Sequence, residues 1–199
     1  MRKTAKARFN CARRLNYHQT FSLWSLSLFS VGLIGMTLLS ALHVRTNVTA
    51  PFYDLLQIML ALLVLVLSLL LSANKYSDRS EKIHRCALEI NALCHHLLPY
   101  CPAGKENPEV YKQTLEKYGD VLNSYENHSD IDFDLVRIEL YDDYPLNWFH
   151  RTLIRIRYVL GFSLYLGLLL LLVGTFVGLL WPVPKSALKE LKPTASQSQ

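Results

Sequence analysis

The apolar stretch from Leu55 to Leu71 lacks charged residues, glycine and proline altogether. Residues 52–73 around it are long enough, at ~1.5 Å per residue, to cross a hydrocarbon core of ~30 Å. A buried helix of a soluble protein keeps a polar stripe, whereas this segment is apolar nearly all round, so its natural solvent is lipid. Residues 20–43 and 158–181 have the same character. No ionisable residue lies near the middle of any of these spans, which argues against a proton relay or a charge-coupled transporter.

The chain also lacks the patterns that carry catalysis or metal binding in enzymes. It has no CxxC or HExxH motif, no glycine-rich phosphate loop, no nucleophile elbow and no identifiable pair of catalytic carboxylates. The aspartates at 130, 132 and 134 resemble the start of a calcium loop, but Leu135 stands where that loop requires glycine. The loose group of histidines and cysteines at positions 84–101 favours reduced thiols over a zinc site. We therefore expect no enzyme activity, no metal and no cofactor.

Acidic residues are absent from the first fourteen positions, which hold six lysines and arginines. Residues 74–157 hold 11 basic and 14 acidic residues, so the net charge of +5 is a terminal effect and does not predict nucleic-acid binding. The basic arm, residues 1–19, is either an interfacial helix on anionic lipid heads or a simple positive flank of the first span. Both interpretations place the N-terminus in the cytoplasm, and Arg151, Arg155 and Arg157 predict that the third span also starts there.

These features predict an all-α integral membrane protein with five segments. The basic arm precedes a transmembrane hairpin at 20–73, built from spans 20–43 and 52–73, and a cytoplasmic helical module follows at 74–157. A third transmembrane helix at 158–181 and a disordered tail at 182–199 complete the chain. Within the module, one apolar stripe runs through Ile83, Ala87, Ile90, Cys94 and Leu97, and Asn107-Pro108 predicts the start of a second helix. The stripe predicted for that helix comprises Val110, Tyr111, Leu115, Tyr118, Leu122 and Tyr125.

Small and polar side chains fall on one face of the second span. At 3.6 residues per turn this face holds Asp54, Gln57, Ala61, Ser68 and Ser72. Because polar side chains that face hydrocarbon cost free energy, the face should meet either water or protein. It is therefore one wall of a pore, or else a seam between packed helices.

The third span carries a face of small residues at four-residue and seven-residue spacing: Ser163, Gly167, Gly174 and Gly178. Small residues let helices approach closely in lipid, so this face predicts helix packing, within one chain or between chains. The first span is also rich in glycine and serine, but its small residues lie on several faces and define no single seam.

The basic arm KARFNCARRL, the tight hairpin of two spans and the segment NPEVYKQTLEKYGDVLNSYENHSDIDFD together resemble the SLATT family of bacterial membrane effectors. The most distinctive part is the tyrosine-spaced helix that ends in Asn127 and His128, followed by Asp130 and Asp132. The resemblance implies no catalytic residues, and a structural or regulatory role for these four.

The resemblance further implies a homo-oligomeric effector of an antiviral conflict system that permeabilises the inner membrane, with a pore as the expected means. A small signal or a partner protein would switch it on, the partner being one that senses or makes nucleotides, or a reverse transcriptase. The alternative is a membrane-anchored scaffold, whose spans are anchors and whose helix pair recruits a cytosolic partner.

Overall fold

The computed structural model describes residues 1–42, 49–140 and 142–181 of the 199-residue chain. Most of the link between the first two spans and the whole predicted tail at 182–199 lie outside the described residues. The helices are α1 (Arg2–Ala41), α2 (Ala50–Asn74), α3 (Tyr76–Leu97), α4 (Pro108–Ser124), α5 (Asp130–Glu139), α6 (Trp148–Leu160) and α7 (Ser163–Leu180), with a 3-10 turn at Leu98–Tyr100. No strand occurs in the described residues, and the expectation of an all-α fold is confirmed.

The chain divides into two compact units, which we describe separately. The helical module comprises residues 1–23 and 69–164, and the span unit comprises residues 24–68 together with the chain from 165 onward. Three of the helices, α1, α2 and α7, are long and apolar enough to cross a membrane.

The span unit packs α1, α2 and α7 around one apolar cluster. Its buried members are Phe29, Met36, Tyr53, Leu60, Leu172 and Leu179. The buried Tyr53 hydroxyl donates a hydrogen bond to the Met36 carbonyl oxygen, so its polar atom has a partner. Most other large apolar side chains of these helices are exposed, as expected of surfaces that face lipid.

The helical module is built around the first half of α1. Its buried residues include Ala5, Ala7, Cys11, Ala12 and Leu15. Small side chains let α1 approach α3 closely, and Leu15 and Cys11 pack with Ile83 of α3. Neither sequence interpretation of the basic arm, as a lipid-surface helix or as a simple flank, anticipates that one side of it is a module core.

Helices α3 and α4 form an antiparallel pair inside the module. The end of α4 meets α3, since the Tyr125 hydroxyl donates to Glu89 at 2.7 Å. The amide oxygen of Asn107 accepts from the backbone N–H groups of Glu109 and Val110, which is the N-cap that the sequence predicts. The predicted stripe is partly wrong, because Tyr111 and Leu115 are exposed. The packing side of α4 instead holds Thr114, Tyr118, Val121 and Leu122.

Two short breaks set the ends of the long helices. Lys75 separates α2 from α3 with a left-handed backbone (φ 45°), a conformation that a residue with a Cβ rarely adopts. Gly161 and Phe162 separate α6 from α7. The third apolar helix therefore begins at Ser163, whereas the apolar run in the sequence predicts a span that begins at residue 158.

Candidate functional site

An ion pair joins the basic arm to the start of α5 in the helical module. The Arg14 guanidinium donates from Nε to Asp132 Oδ1 at 2.8 Å and from Nη2 to Asp132 Oδ2 at 2.9 Å. The Asp132 side chain is fully buried, and the Arg14 side chain is 19% exposed. This two-bond geometry fixes the orientation of both groups, which a single contact does not. We call this pair, with Ser129, the Arg14–Asp132 latch.

Local sequence at the start of α5 holds the carboxylate in place. Asp132 is the third residue of the helix, and its Oδ2 accepts from the backbone N–H of Ser129 at 3.0 Å. That contact satisfies a helix-terminal donor, and the positive end of the helix dipole further stabilises the negative charge. The Arg14 Nη2 also donates to the Ser129 hydroxyl at 3.0 Å. Both carboxylate oxygens of Asp132 therefore bind the arm, and Oδ2 also caps the helix.

The latch keeps a charge inside the module that is costly to leave unpaired. Hydrogen bonding to the Asp132 carboxylate raises the pKa of Arg14, so the guanidinium stays protonated throughout the physiological range. The Asn10 side-chain amide adds a longer contact, 3.4 Å, to the Asp132 backbone oxygen. Separation of α1 from α5 would strand a buried carboxylate, so the latch favours one defined arrangement of the two helices.

Aromatic rings surround His18, one helical turn beyond Arg14. The imidazole stacks on Phe162 with ring centroids 4.5 Å apart and on Tyr76 at 5.5 Å. Phe162 also contacts Tyr17 and Tyr158 edge-on. Burial first, and the nearby Arg14 charge second, lower the pKa of His18, which favours the neutral ring. This aromatic cluster packs the arm against Tyr76, the first residue of α3, and against Phe162, in the break before α7.

The four residues of the predicted NH-x-D-x-D motif have different environments. Asp132 is the buried centre of the latch, whereas Asn127 and Asp130 are exposed. His128 is half-buried, and its backbone N–H donates to the Asn127 amide oxygen at 2.9 Å. Sequence reasoning missed Arg14, because its partner lies 118 positions away. The available signal was Ser129 and Asp132 at capping-box spacing, which marks Asp132 as a helix-capping acid.

Arg8, a second arginine of the arm, is buried and forms no ion pair among the described residues. Arg8 is 2% exposed, and its Nε and Nη1 atoms have no hydrogen-bond partner among the described residues. Arg8 interacts with the thiol of Cys86: burial raises the pKa of that thiol, and the Arg8 charge offsets part of the rise. The described residues hold no group of three or more histidine, cysteine or acidic side chains arranged to bind a metal.

The predicted pore face of α2 is turned away from the packing of the span unit. Asp54, Ala61, Ser68 and Ser72 are exposed and Gln57 is half-buried. The core of the unit is instead contacted by Tyr53, Leu56, Leu60, Leu63, Val64 and Leu67. No hydrogen bond or ion pair links Asp54 or Gln57 to another described residue. Among the described residues, most of this face is therefore uncovered, and Gln57 is covered in part.

The small-residue face of α7 is also open in a single chain. A Cβ added at Gly167, Gly174 or Gly178 would meet no atom within 4 Å, and Ser163 is exposed. The close approach occurs on α1, where a Cβ at Gly32 would lie 2.8 Å from Leu172 Cδ1. Gly35 faces Phe176 at 3.4 Å on the same basis. Two of the small residues of the first span, Gly32 and Gly35, therefore face α7.

Comparison with known families assigns the chain. The model of SMODS and SLOG-associating 2TM effector domain family 5 matches residues 1–179. The chain belongs to this SLATT family. The match confirms the resemblance read from the arm, the hairpin and the helix pair. It extends through almost all of α7, although the family name counts two transmembrane helices and three of the described helices are apolar enough to cross.

Membership makes the chain a membrane effector domain, and the family name links it to SMODS and SLOG proteins. No curated protein and no solved structure shows significant similarity to it.

Proposed function

We propose that this SLATT protein is a pore-forming effector of a prokaryotic conflict system, with the polar face of α2 as the pore wall. The observation that carries the proposal is the position of that face. In the span unit Ser68 is exposed and Gln57 is half-buried, so in a lone chain Ser68 and the exposed part of Gln57 would meet hydrocarbon. Unsatisfied polar groups cost free energy there, and a water-filled lumen enclosed by several copies removes that cost.

The open glycine face of α7 supports an oligomer. Small residues at four-residue spacing form contact surfaces between helices in lipid, and a Cβ at Gly174 or Gly178 would meet no atom of the described residues within 4 Å. In an assembly, α2 would face the lumen and α7 would contact the next copy. The protein would lie in the cytoplasmic membrane with its N-terminus and helical module inside the cell, as the basic arm predicts.

Gating would act through α1. This helix is continuous from Arg2 to Ala41, so the residues that form the Arg14–Asp132 latch and those that enter the membrane belong to one element. A partner protein or small signal that binds the module better when the latch is open would move the equilibrium toward the conducting state. The shift is limited by the difference of its affinities for the two states.

Membrane potential in bacteria that express the protein tests the pore. Wild type is compared with the double variant Gln57→Leu and Ser68→Leu, using a potential-sensitive dye. A matched double variant, Ile58→Leu with Val66→Leu, makes similar changes on the apolar side of α2, where both residues are exposed. We expect wild type and the matched variant to depolarise the cells and the Gln57/Ser68 variant to lose the effect while still assembling.

Depolarisation by all three proteins would place the pore wall elsewhere. If none depolarises the cells, the same set is repeated with Arg14→Leu added to open the latch. Silence in that background as well, with the variants still in the membrane fraction and still folded by circular dichroism, would contradict the pore.

The exposure of Tyr111 and Leu115 on α4 favours a second candidate function, a scaffold that recruits a cytosolic protein. In a scaffold the spans serve only as anchors. Exchange of the span unit for unrelated apolar helices would then preserve function, whereas it would abolish the activity of a pore.

A further inference from the structure

Helix α6 carries an exposed apolar face on the surface of the helical module. Six large apolar side chains of this helix are at least half exposed: Trp148, Phe149, Leu153, Ile156, Val159 and Leu160. At ~100° per residue they share one side of the helix. The helix packs against α5 through its other side, where Ile154 and Tyr158 are half-buried. A contiguous apolar face of this size marks an interaction surface.

The charges around this face identify its partner. No residue of α6 is acidic, and the exposed Arg155 and Arg157 lie at its two edges. A helix with one apolar face, basic edges and an aromatic residue at its start is typical of helices that lie in the plane of a membrane. A protein partner of ordinary composition would not require that both edges be basic.

Chain connectivity brings α6 to the membrane. Only Gly161 and Phe162 separate its last residue, Leu160, from Ser163, the first residue of the apolar helix α7. Leu160 and Ser163 are three Cα–Cα steps apart, which span at most ~11 Å, so the end of α6 cannot lie far from the first residue of α7. The break itself allows α6 to run in a direction different from that of a spanning helix.

We propose that α6 is an in-plane anchor that lays its apolar face on an anionic lipid surface. Arg155 and Arg157 contact phosphate groups on either side of it, and Trp148 lies at the level of the headgroups. The proposed membrane-surface element is thus α6, whereas the basic arm, which carries more positive charge, packs one of its sides inside the module. Docking of α6 on the membrane does not require that the protein form a pore.

Trp148 reports directly on this contact in the full-length protein. The other tryptophans, Trp24 and Trp181, are both exposed, and Trp24→Phe with Trp181→Phe leaves Trp148 as the sole emitter. The protein is reconstituted into vesicles of equal parts phosphatidylcholine and phosphatidylglycerol that contain lipids brominated near the headgroup or near the chain end. Because an in-plane helix buries its apolar face only ~5–10 Å deep, we expect headgroup-proximal bromine to quench Trp148 about twofold more than chain-end bromine.

Charge reversal tests the role of the arginines. Arg155→Glu with Arg157→Glu should lower the ratio of docked to undocked α6 roughly tenfold or more on the anionic vesicles, because each basic residue near such a surface is favourable. Headgroup quenching of Trp148 then falls. The matched control, Lys112→Glu with Lys117→Glu, makes the same net change on exposed positions of α4 and should leave the quenching as it was.

Two results would overturn the proposal. Strong quenching of Trp148 by aqueous iodide, without quenching by either brominated lipid, would show that α6 faces water. Protection from both quenchers that disappears when the protein is diluted into more lipid would show that a second copy covers the face.

Discussion

At the residue scale, the Asp132 carboxylate depends on a single guanidinium. It is fully buried, and the arginine that pairs with it comes from the other end of the described chain. The other bridges between the arm and the α5 end of the module are exposed, as with Lys6 and Glu139 at 3.6 Å. Exposed pairs contribute little because water and salt screen them, so the latch should dominate the electrostatics of the module.

Replacement of Arg14 by leucine should therefore destabilise the module strongly. The substitution leaves a buried carboxylate without its partner, a change that typically costs about 3–5 kcal/mol. Lys6→Gln, which removes an exposed pair from the same helix, should cost less than about 1 kcal/mol. Thermal unfolding of the purified proteins in detergent, followed by circular dichroism, compares the two. Equal melting temperatures for both variants would contradict the latch.

The cysteines should differ in reactivity according to their burial. Cys101 is exposed, whereas Cys11 and Cys86 are buried. Burial raises the pKa of the Cys11 thiol to about 11, so almost none of it is thiolate at neutral pH. We expect maleimide to label Cys101 within minutes and Cys11 only after unfolding, as measured by mass spectrometry of peptides. Rapid labelling of Cys11 in the folded protein would mean that the arm is not packed as described.

At the scale of the element, the sequence predicts the helices better than their contacts. The apolar runs, the Asn107 cap and the α3 stripe follow from local rules of propensity and periodicity, and the structure contains each of them. The burial of the arm does not follow, because a basic segment beside a span has the same composition whether it contacts lipid or protein. The exposure of Tyr111 and Leu115 on α4 does not follow from the sequence either. A periodic pattern of apolar residues does not show which of those residues pack against another helix.

Substitution by a bulky residue should have different effects on the glycine face of α1 and on that of α7. A leucine at Gly32 would collide with Leu172 and force α1 away from α7, which should lower the melting temperature of the single chain. Gly174→Leu meets open space within the chain, so we expect its fold to be unchanged and its oligomer to weaken. Size-exclusion chromatography with light scattering, together with thermal unfolding in detergent, separates the effects. A normal melting temperature for Gly32→Leu would be inconsistent with the α1–α7 contact.

At the scale of the whole molecule, one continuous helix, α1, contributes residues to both the helical module and the span unit. The family match establishes a membrane effector domain, and the proposed pore would require both units. The module holds the latch and the aromatic cluster around His18, and the span unit carries a polar face with no partner of its own. Subunit number and the activating signal depend on surfaces of other chains, so one sequence does not determine them.

The most direct test is the current through planar bilayers that contain the purified protein with cysteine placed on either side of α2. Ser68→Cys lies on the polar face, and Val66→Cys lies on the exposed apolar side. Both carry Cys94→Ala and Cys101→Ala, which remove the less buried native thiols. Arg14→Leu is added to both if the latched protein is silent.

We predict that a charged thiol reagent added to the aqueous chamber blocks the current of Ser68→Cys and leaves that of Val66→Cys unchanged. Equal sensitivity of the two variants, or no current from either with the latch intact or removed, would contradict a pore lined by α2.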